Sequence, residues 1–259
     1  MPLLEKIYEL RPNQSELLYS ECVNGQLIEV REFEHYRWVQ IGGSSIHSLM
    51  DVSSPSQIML PNAKAMMTAL LFCPKPQQLL NMGFGGGLFE RFFATNFPEL
   101  KITSLESNET VIRLSKEFFF IAEEHPVIND SAEHFLSKKQ TSFDIMLCDI
   151  FSAEKHPDCL YEEIFYINAS HCLNRTGVFA LNLIPTSEED VVTIVIAMRN
   201  SFNHISLLEV PGHANVIIFA SQCNLLDRVN LEIEIDSLFK RTRLDLTDVP
   251  QRLTRLIEK

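Results

Sequence analysis

Between Gln78 and Glu106 the chain reads QLLNMGFGGGLFERFFATNFPELKITSLE, an order that confines it to few folds. Leu79, Leu80 and Met82 form a short, nearly continuous apolar run, the pattern of a strand buried on both faces of a parallel sheet. Gly83, Gly85, Gly86 and Gly87 follow, four of the nine glycines in the chain. Such a turn lets backbone N–H groups approach a ligand with no Cβ in the way, at the positive end of the following helix. A second apolar run closes on Glu106, 19 residues after Gly87. That is near the spacing at which a carboxylate ending the second strand accepts hydrogen bonds from a ribose. Strand, glycine turn, helix, strand and acid together predict a Rossmann-like nucleoside site. A tight strand-to-helix turn beside an ordinary surface Glu is the plainer alternative.

Downstream the same alternation continues. Helices are expected over Glu109–Phe119, Ala132–Lys138, Tyr161–Leu173 and Glu188–Phe202, the last with an acidic first turn that suits the helix dipole. Strands are expected over Val127–Asp130, Phe143–Asp149 and Val178–Ile184, the last entered through an Asn174–Gly177 turn, and a closing pair over Ile205–Val210 and Val216–Ala220. This predicts an α/β fold: a doubly wound Rossmann-like sheet with one antiparallel strand. Residues 225–259 read as a helical tail. Upstream, β-like runs at Gln26–Glu32, Tyr36–Ile41 and Ser45–Leu49, punctuated by Gly25, Gly42 and Gly43, predict a small antiparallel sheet, and Asn62–Phe72 a helix. The expected division is a β domain over 1–60 and a nucleoside-binding domain over 61–259. Three acids recur at strand ends, Glu106, Asp130 and Asp149. In a doubly wound sheet these ends form the ligand crevice, so the three would line one cavity with the glycines.

The net charge of −12 is uneven, for residues 79–224 hold 19 acids and 9 bases and so −10 of it. A field of that sign repels nucleic acid and attracts cations. No run of about 18 uncharged apolar residues occurs, so no membrane span is expected. The N-terminus lacks a signal-peptide pattern, which makes the cytoplasm the expected compartment. Six scattered cysteines form no C-x-x-C pair and no zinc spacing, so reduced thiols and no metal are expected.

From about Pro55 to Ala220 the chain resembles the spermidine synthase-like family of polyamine aminopropyltransferases and, more widely, the class I S-adenosylmethionine-dependent methyltransferase fold. GFGGGLFERFF, TSLESNETVIRLSKEFF, INDSAEHFL, FDIMLCDIFS and LYEEIFYINASHCLNRTGVFALNL carry the resemblance. It implies that Glu106 binds the ribose and Asp130 the adenine amine of a decarboxylated S-adenosylmethionine donor. It further implies that Asp149 is the catalytic acid, orienting a polyamine acceptor, in a homodimer or tetramer. Three positions depart from the family pattern. Its turn usually reads GGGDGG with an acid where Gly85 stands here; D-S-S/T-D-P becomes Asp149-Ile150-Phe151-Ser152-Ala153; and a Tyr-His-Glu cluster is replaced around Asn62–Met66. Methyl transfer from intact S-adenosylmethionine and a non-catalytic nucleoside- or polyamine-binding role therefore stand as alternatives. Near the turn Glu90 and Arg91 lie about 100° apart on their helix, so at most one should face a ligand.

Overall fold

The computed structural model describes residues 3–23, 25–42, 46–138, 142–151, 156–225 and 230–256. Gly43, Ser45 and Ser152, named above, lie outside them, as do parts of the C-terminal tail.

A short helix, α1 (Leu3–Tyr8), precedes four strands, β1 (Glu16–Val23), β2 (Gln26–Phe33), β3 (Tyr36–Ile41) and β4 (Ile46–Asp51), paired in that order as an antiparallel sheet. The expected helix over Asn62–Phe72 is two, α2 (Pro61–Met66) and α3 (Ala69–Phe72). Between them the hydrogen bonds tighten from i−4 to i−3, as Thr68 N–H meets Ala65 O at 3.1 Å and Leu71 N–H meets Thr68 O at 2.9 Å.

The main unit then alternates strand and helix: β5 (Gln78–Met82), α4 (Leu88–Asn96), β6 (Lys101–Glu106), α5 (Glu109–Phe118), β7 (Val127–Asn129), α6 (Ala132–Lys138), β8 (Phe143–Cys148), α7 (Glu163–His171), β9 (Leu173–Leu183) and α8 (Glu188–Arg199). Next come β10 (His204–Glu209), β11 (Val216–Ser221), α9 (Leu231–Thr242), α10 (Val249–Arg252) and β12 (Leu253–Arg255). The sheet order is β12-β10-β11-β9-β8-β5-β6-β7. Strands β5 to β9 are parallel and β11 runs against β9, giving the expected antiparallel strand. The tail is not wholly helical, because β12 also runs antiparallel to β10 and covers an edge that would otherwise stand open.

Period-two alternation sorts the strand side chains between two helical layers. Leu79, Ile145, Leu147, Val178 and Phe219 face a core shared with Phe89, Phe92 and Phe93 of α4 and with Leu238 of α9. Leu80, Met146, Cys148, Phe179 and Ile218 face the other core, with Phe135 of α6, Tyr166 of α7 and Ile194 of α8. The N-terminal sheet packs on the main unit through Ile28, Val30, Val39 and Met50 against Leu114 and Phe119. Arg37 Nη1 adds a 2.6 Å bond to Phe118 O at the end of α5.

Two successive crossovers carry the chain from β5 out to β7, and the next returns it to β8 on the other side of β5. The reversal opens a crevice at the carboxyl ends of β5 and β8, the place where ligands bind in such sheets.

Candidate active site

Gly83 leaves β5 at this switch point, and Asp149 leaves β8 beside it. A Cβ on Gly83 would lie 2.1 Å from the Asp149 carbonyl oxygen, so only glycine permits the approach. Asp149 N–H bonds Met82 O at 2.9 Å, continuing the ladder one residue beyond the strands.

The glycine turn differs in one respect from the sequence expectation. Its N–H groups are already engaged within the protein rather than free for a ligand. Gly83 and Phe84 donate to Leu105 O at 3.1 and 2.9 Å, and Gly87 donates to Phe84 O at 2.9 Å. Gly85 donates to Glu106 Oε2 at 3.1 Å, and Gly86 to Ser48 Oγ of β4 at 2.9 Å. The turn thus provides close backbone approach but no cradle of unpaired donors for a phosphate.

Glu106 ends β6 with Oε1 accepting from Asn108 N–H at 3.0 Å. Each carboxylate oxygen has a further lone pair, which suits two vicinal hydroxyls. Burial raises its pKa above the ordinary value, while hydrogen bonds from the Asn108, Gly85 and Ser107 N–H groups oppose that rise. Asp130, just past β7, is partly exposed and is held through both oxygens by His134 Nδ1, at 2.7 and 2.8 Å. That contact lowers its pKa. Asp149 is partly buried, and its pKa is pushed up to about 6 by desolvation, with the hydrogen bond from Asn182 opposing. Asn182 Nδ2 donates to Asp149 Oδ1 at 2.7 Å, and Asn215 Nδ2 donates to Asn182 Oδ1 at 2.9 Å.

Neither member of the Glu90–Arg91 pair is free to meet a ligand. Glu90, 3% exposed, accepts through Oε1 from Asn81 Nδ2 at 2.8 Å and Ser104 Oγ at 2.6 Å beneath the turn. Arg91 braces the turn from behind, with Nη1 on Gly86 O and Phe119 O and Nε on Pro55 O. Burial lowers its pKa to about 10, with the Glu90 charge opposing.

Gly83, Gly85, Gly86, Gly87, Glu106, Asp130 and Asp149 therefore all lie at or just past the carboxyl ends of β5, β6, β7 and β8. Ser48, Asn182 and Asn215 were not anticipated. A signal existed for Asn182, a polar residue inside the apolar run VFALNLI, where a buried amide needs partners. Among the described residues no cluster of His, Cys, Asp or Glu could hold a metal ion, and no helix is long and apolar enough to cross a membrane.

No family model matches the chain. A polyamine aminopropyltransferase of Neisseria meningitidis serogroup A is 27% identical over 220 residues, covering 83% of this chain and 81% of the relative. An eEF1A lysine and N-terminal methyltransferase of Xenopus laevis is 25% identical over 175 residues, covering 60% of this chain but 25% of the relative. Among solved structures, a "probable spermidine synthase" from Corynebacterium glutamicum superposes with a TM-score of 0.71 at 16% identity, covering 94% of this chain and 91% of that one. Fold and crevice together define a Rossmann-like domain of the class I methyltransferase type. Within that class the chain is spermidine synthase-like, in sequence and in fold, including its N-terminal antiparallel sheet.

Proposed function

We propose that the protein transfers an aminopropyl group from decarboxylated S-adenosylmethionine to a polyamine. The observation that carries this reading is the pairing of Asp149, a crevice carboxylate with a pKa of about 6, with a glycine turn whose N–H groups are already bonded. Unpaired donors at such a turn favour anionic ligands, whereas a sulfonium donor and an ammonium acceptor are cations that acids attract. The relatives named polyamine aminopropyltransferase support the same reading.

In the reaction, the amine nitrogen uses its lone pair to form a bond to the carbon next to the sulfonium. The carbon–sulfur bond breaks and its electron pair returns to sulfur, leaving a neutral thioether nucleoside. Asp149 orients the amine and takes the proton that nitrogen sheds, as a positioned base ionised near neutral pH can do. In this scheme Glu106 holds the ribose hydroxyls and Asp130 the adenine amine, while Gly83, Gly85, Gly86 and Gly87 admit the donor close to the backbone. The division into 1–60 and 61–259 then separates a roof from the catalytic unit. A cytoplasmic homodimer or tetramer, without metal, nucleic acid or membrane partner, completes the proposal.

One observation favours methyl transfer as a second reading: Gly85 supplies no carboxylate for the ammonium end of the decarboxylated donor. Incubating the protein with each donor and a panel of diamines and polyamines decides between the two. Methylthioadenosine and an aminopropylated amine are expected. S-adenosylhomocysteine and a methylated product, with no turnover of the decarboxylated donor, would reject the proposal.

A further inference from the structure

The two oxygens of Asp149 are not equivalent. Oδ1 takes the hydrogen bond from Asn182, whereas among the described residues no side chain donates to Oδ2. Asn182 lies in β9 and is 1% exposed. Its amide can donate to Asp149 only if its carbonyl points the other way, and Asn215 Nδ2 meets that carbonyl at 2.9 Å. Asn215 stands at the mouth of the β10–β11 hairpin, where its backbone carbonyl accepts Val210 N–H at 3.0 Å. The hairpin backbone therefore anchors one end of a chain of three side chains whose other end is the crevice acid. A side-chain amide has a donor end and an acceptor end, and a reversed Asn182 would set its carbonyl oxygen against a carboxylate.

We propose that Asn215 fixes the orientation of Asn182, and through it the rotamer and protonation of Asp149, so that Oδ2 alone is presented to the acceptor amine. Both asparagines are positioning residues; neither is required to touch substrate. The inference rests on the reading of Asp149 as the base. The titratable groups around Asp149 leave the relay as its local control. Cys148 precedes it in β8 and is held protonated by burial, with the Cys159, Asp149 and Glu133 charges adding to that effect. His156, whose Nε2 accepts Ile184 N–H at 2.8 Å, has its pKa lowered by burial. The flanking strands β5 and β9 bring Asn81 and Asn182 to this end of the sheet, both uncharged.

The test is a mutant cycle on the full chain, Asn182→Leu, Asn215→Leu and the double variant. The readouts are the Asp149 carboxyl titration by carbon-13 NMR, the kcat and KM for transfer, and a thermal melt. Each single change is expected to raise the Asp149 pKa by at least about half a unit, since a hydrogen bond to the charged form is lost. At pH 5.5, below both pKa values, the ionised fraction of Asp149 and kcat with it should fall about two- to threefold or more, with the donor KM held within about twofold. In the Asn182→Leu background Asn215→Leu should move the titration no further, because its effect passes through Asn182. Additive shifts, or no shift in Asn215→Leu, would overturn the relay. Should Asn182→Leu fail to fold, Asn215→Leu alone decides by the same titration. A wild-type protein that performs no aminopropyl transfer would sink the proposed reaction, while the Asp149 titration still decides the relay.

Discussion

Gly83 and Asp149 touch backbone to backbone, with the Asp149 carbonyl oxygen 2.1 Å from where a Gly83 Cβ would stand. The two residues follow β5 and β8, the neighbouring strands at which the sheet reverses its winding. The glycine turn and the proposed base thus meet at one close-packed junction.

Gly83→Ala forces apart segments that cannot swing aside, at a φ of +92° that an L side chain rarely adopts. A loss of about 2–4 kcal/mol is expected, lowering Tm by roughly 5–10 °C. A melt within about 1 °C of wild type would deny the contact.

Asp149→Asn keeps the shape and removes the base, so turnover should fall roughly 100-fold or more. In the wild type, turnover needs the ionised carboxylate and should be lost as pH falls through about 6. The stability consequence has the opposite sign. A carboxyl whose folded pKa lies above its unfolded value stabilises the fold at low pH, and that contribution disappears as pH rises through the folded value. Asp149→Asn should therefore melt higher than wild type at pH 7 to 8, and the gain should vanish below pH 4. A variant with undiminished turnover would reduce Asp149 to a strand-end acid.

Glu106→Ala removes an acceptor shared by Gly85 and Asn108 N–H and, on the proposed function, the ribose contact. Donor affinity is expected to weaken by about 1.5–3 kcal/mol in calorimetric titration. An unchanged dissociation constant would take Glu106 out of the site.

Gly85→Asp restores an acid where the aminopropyltransferase pattern has one. Ser48 Oγ lies 3.6 Å from the added Cβ, leaving room, and Asp tolerates the φ of +54° better than most residues. The ratio of dissociation constants should move toward the decarboxylated donor, since a carboxylate attracts its ammonium and repels the intact donor's carboxylate. A ratio that stays put would separate position 85 from the donor tail.

What local pattern governs was legible. α6 keeps its expected bounds, β6 ends on Glu106 as expected, and α4 begins directly after the glycine turn. β1 escaped notice because it is a half-exposed edge strand whose burial imposes no alternation. Gly177 suggested a turn, yet it lies within β9, where a Cβ would come 2.9 Å from Asp144 O. It serves close strand approach instead. Within the site, the strand-end acids could be read from chain order. The groups that hold the site come from farther off: Ser48 lies 38 residues before its partner Gly86, Asn182 lies 33 after Asp149, and Asn215 lies 33 after Asn182, relations that local spacing does not encode.

The strand order also bears on how the molecule assembles as it is synthesised. The Gly85–Glu106 contact spans 21 residues within one contiguous strand–helix–strand stretch, so this half of the crevice has all its parts early. Asp149 is braced only after two further steps of 33 residues each, once the β10–β11 hairpin has emerged. Domains fold as their sequence becomes available, and distant contacts close last. The Glu106 side of the crevice is therefore contained in one short contiguous segment, whereas the bracing of Asp149 waits for the hairpin that closes the sheet.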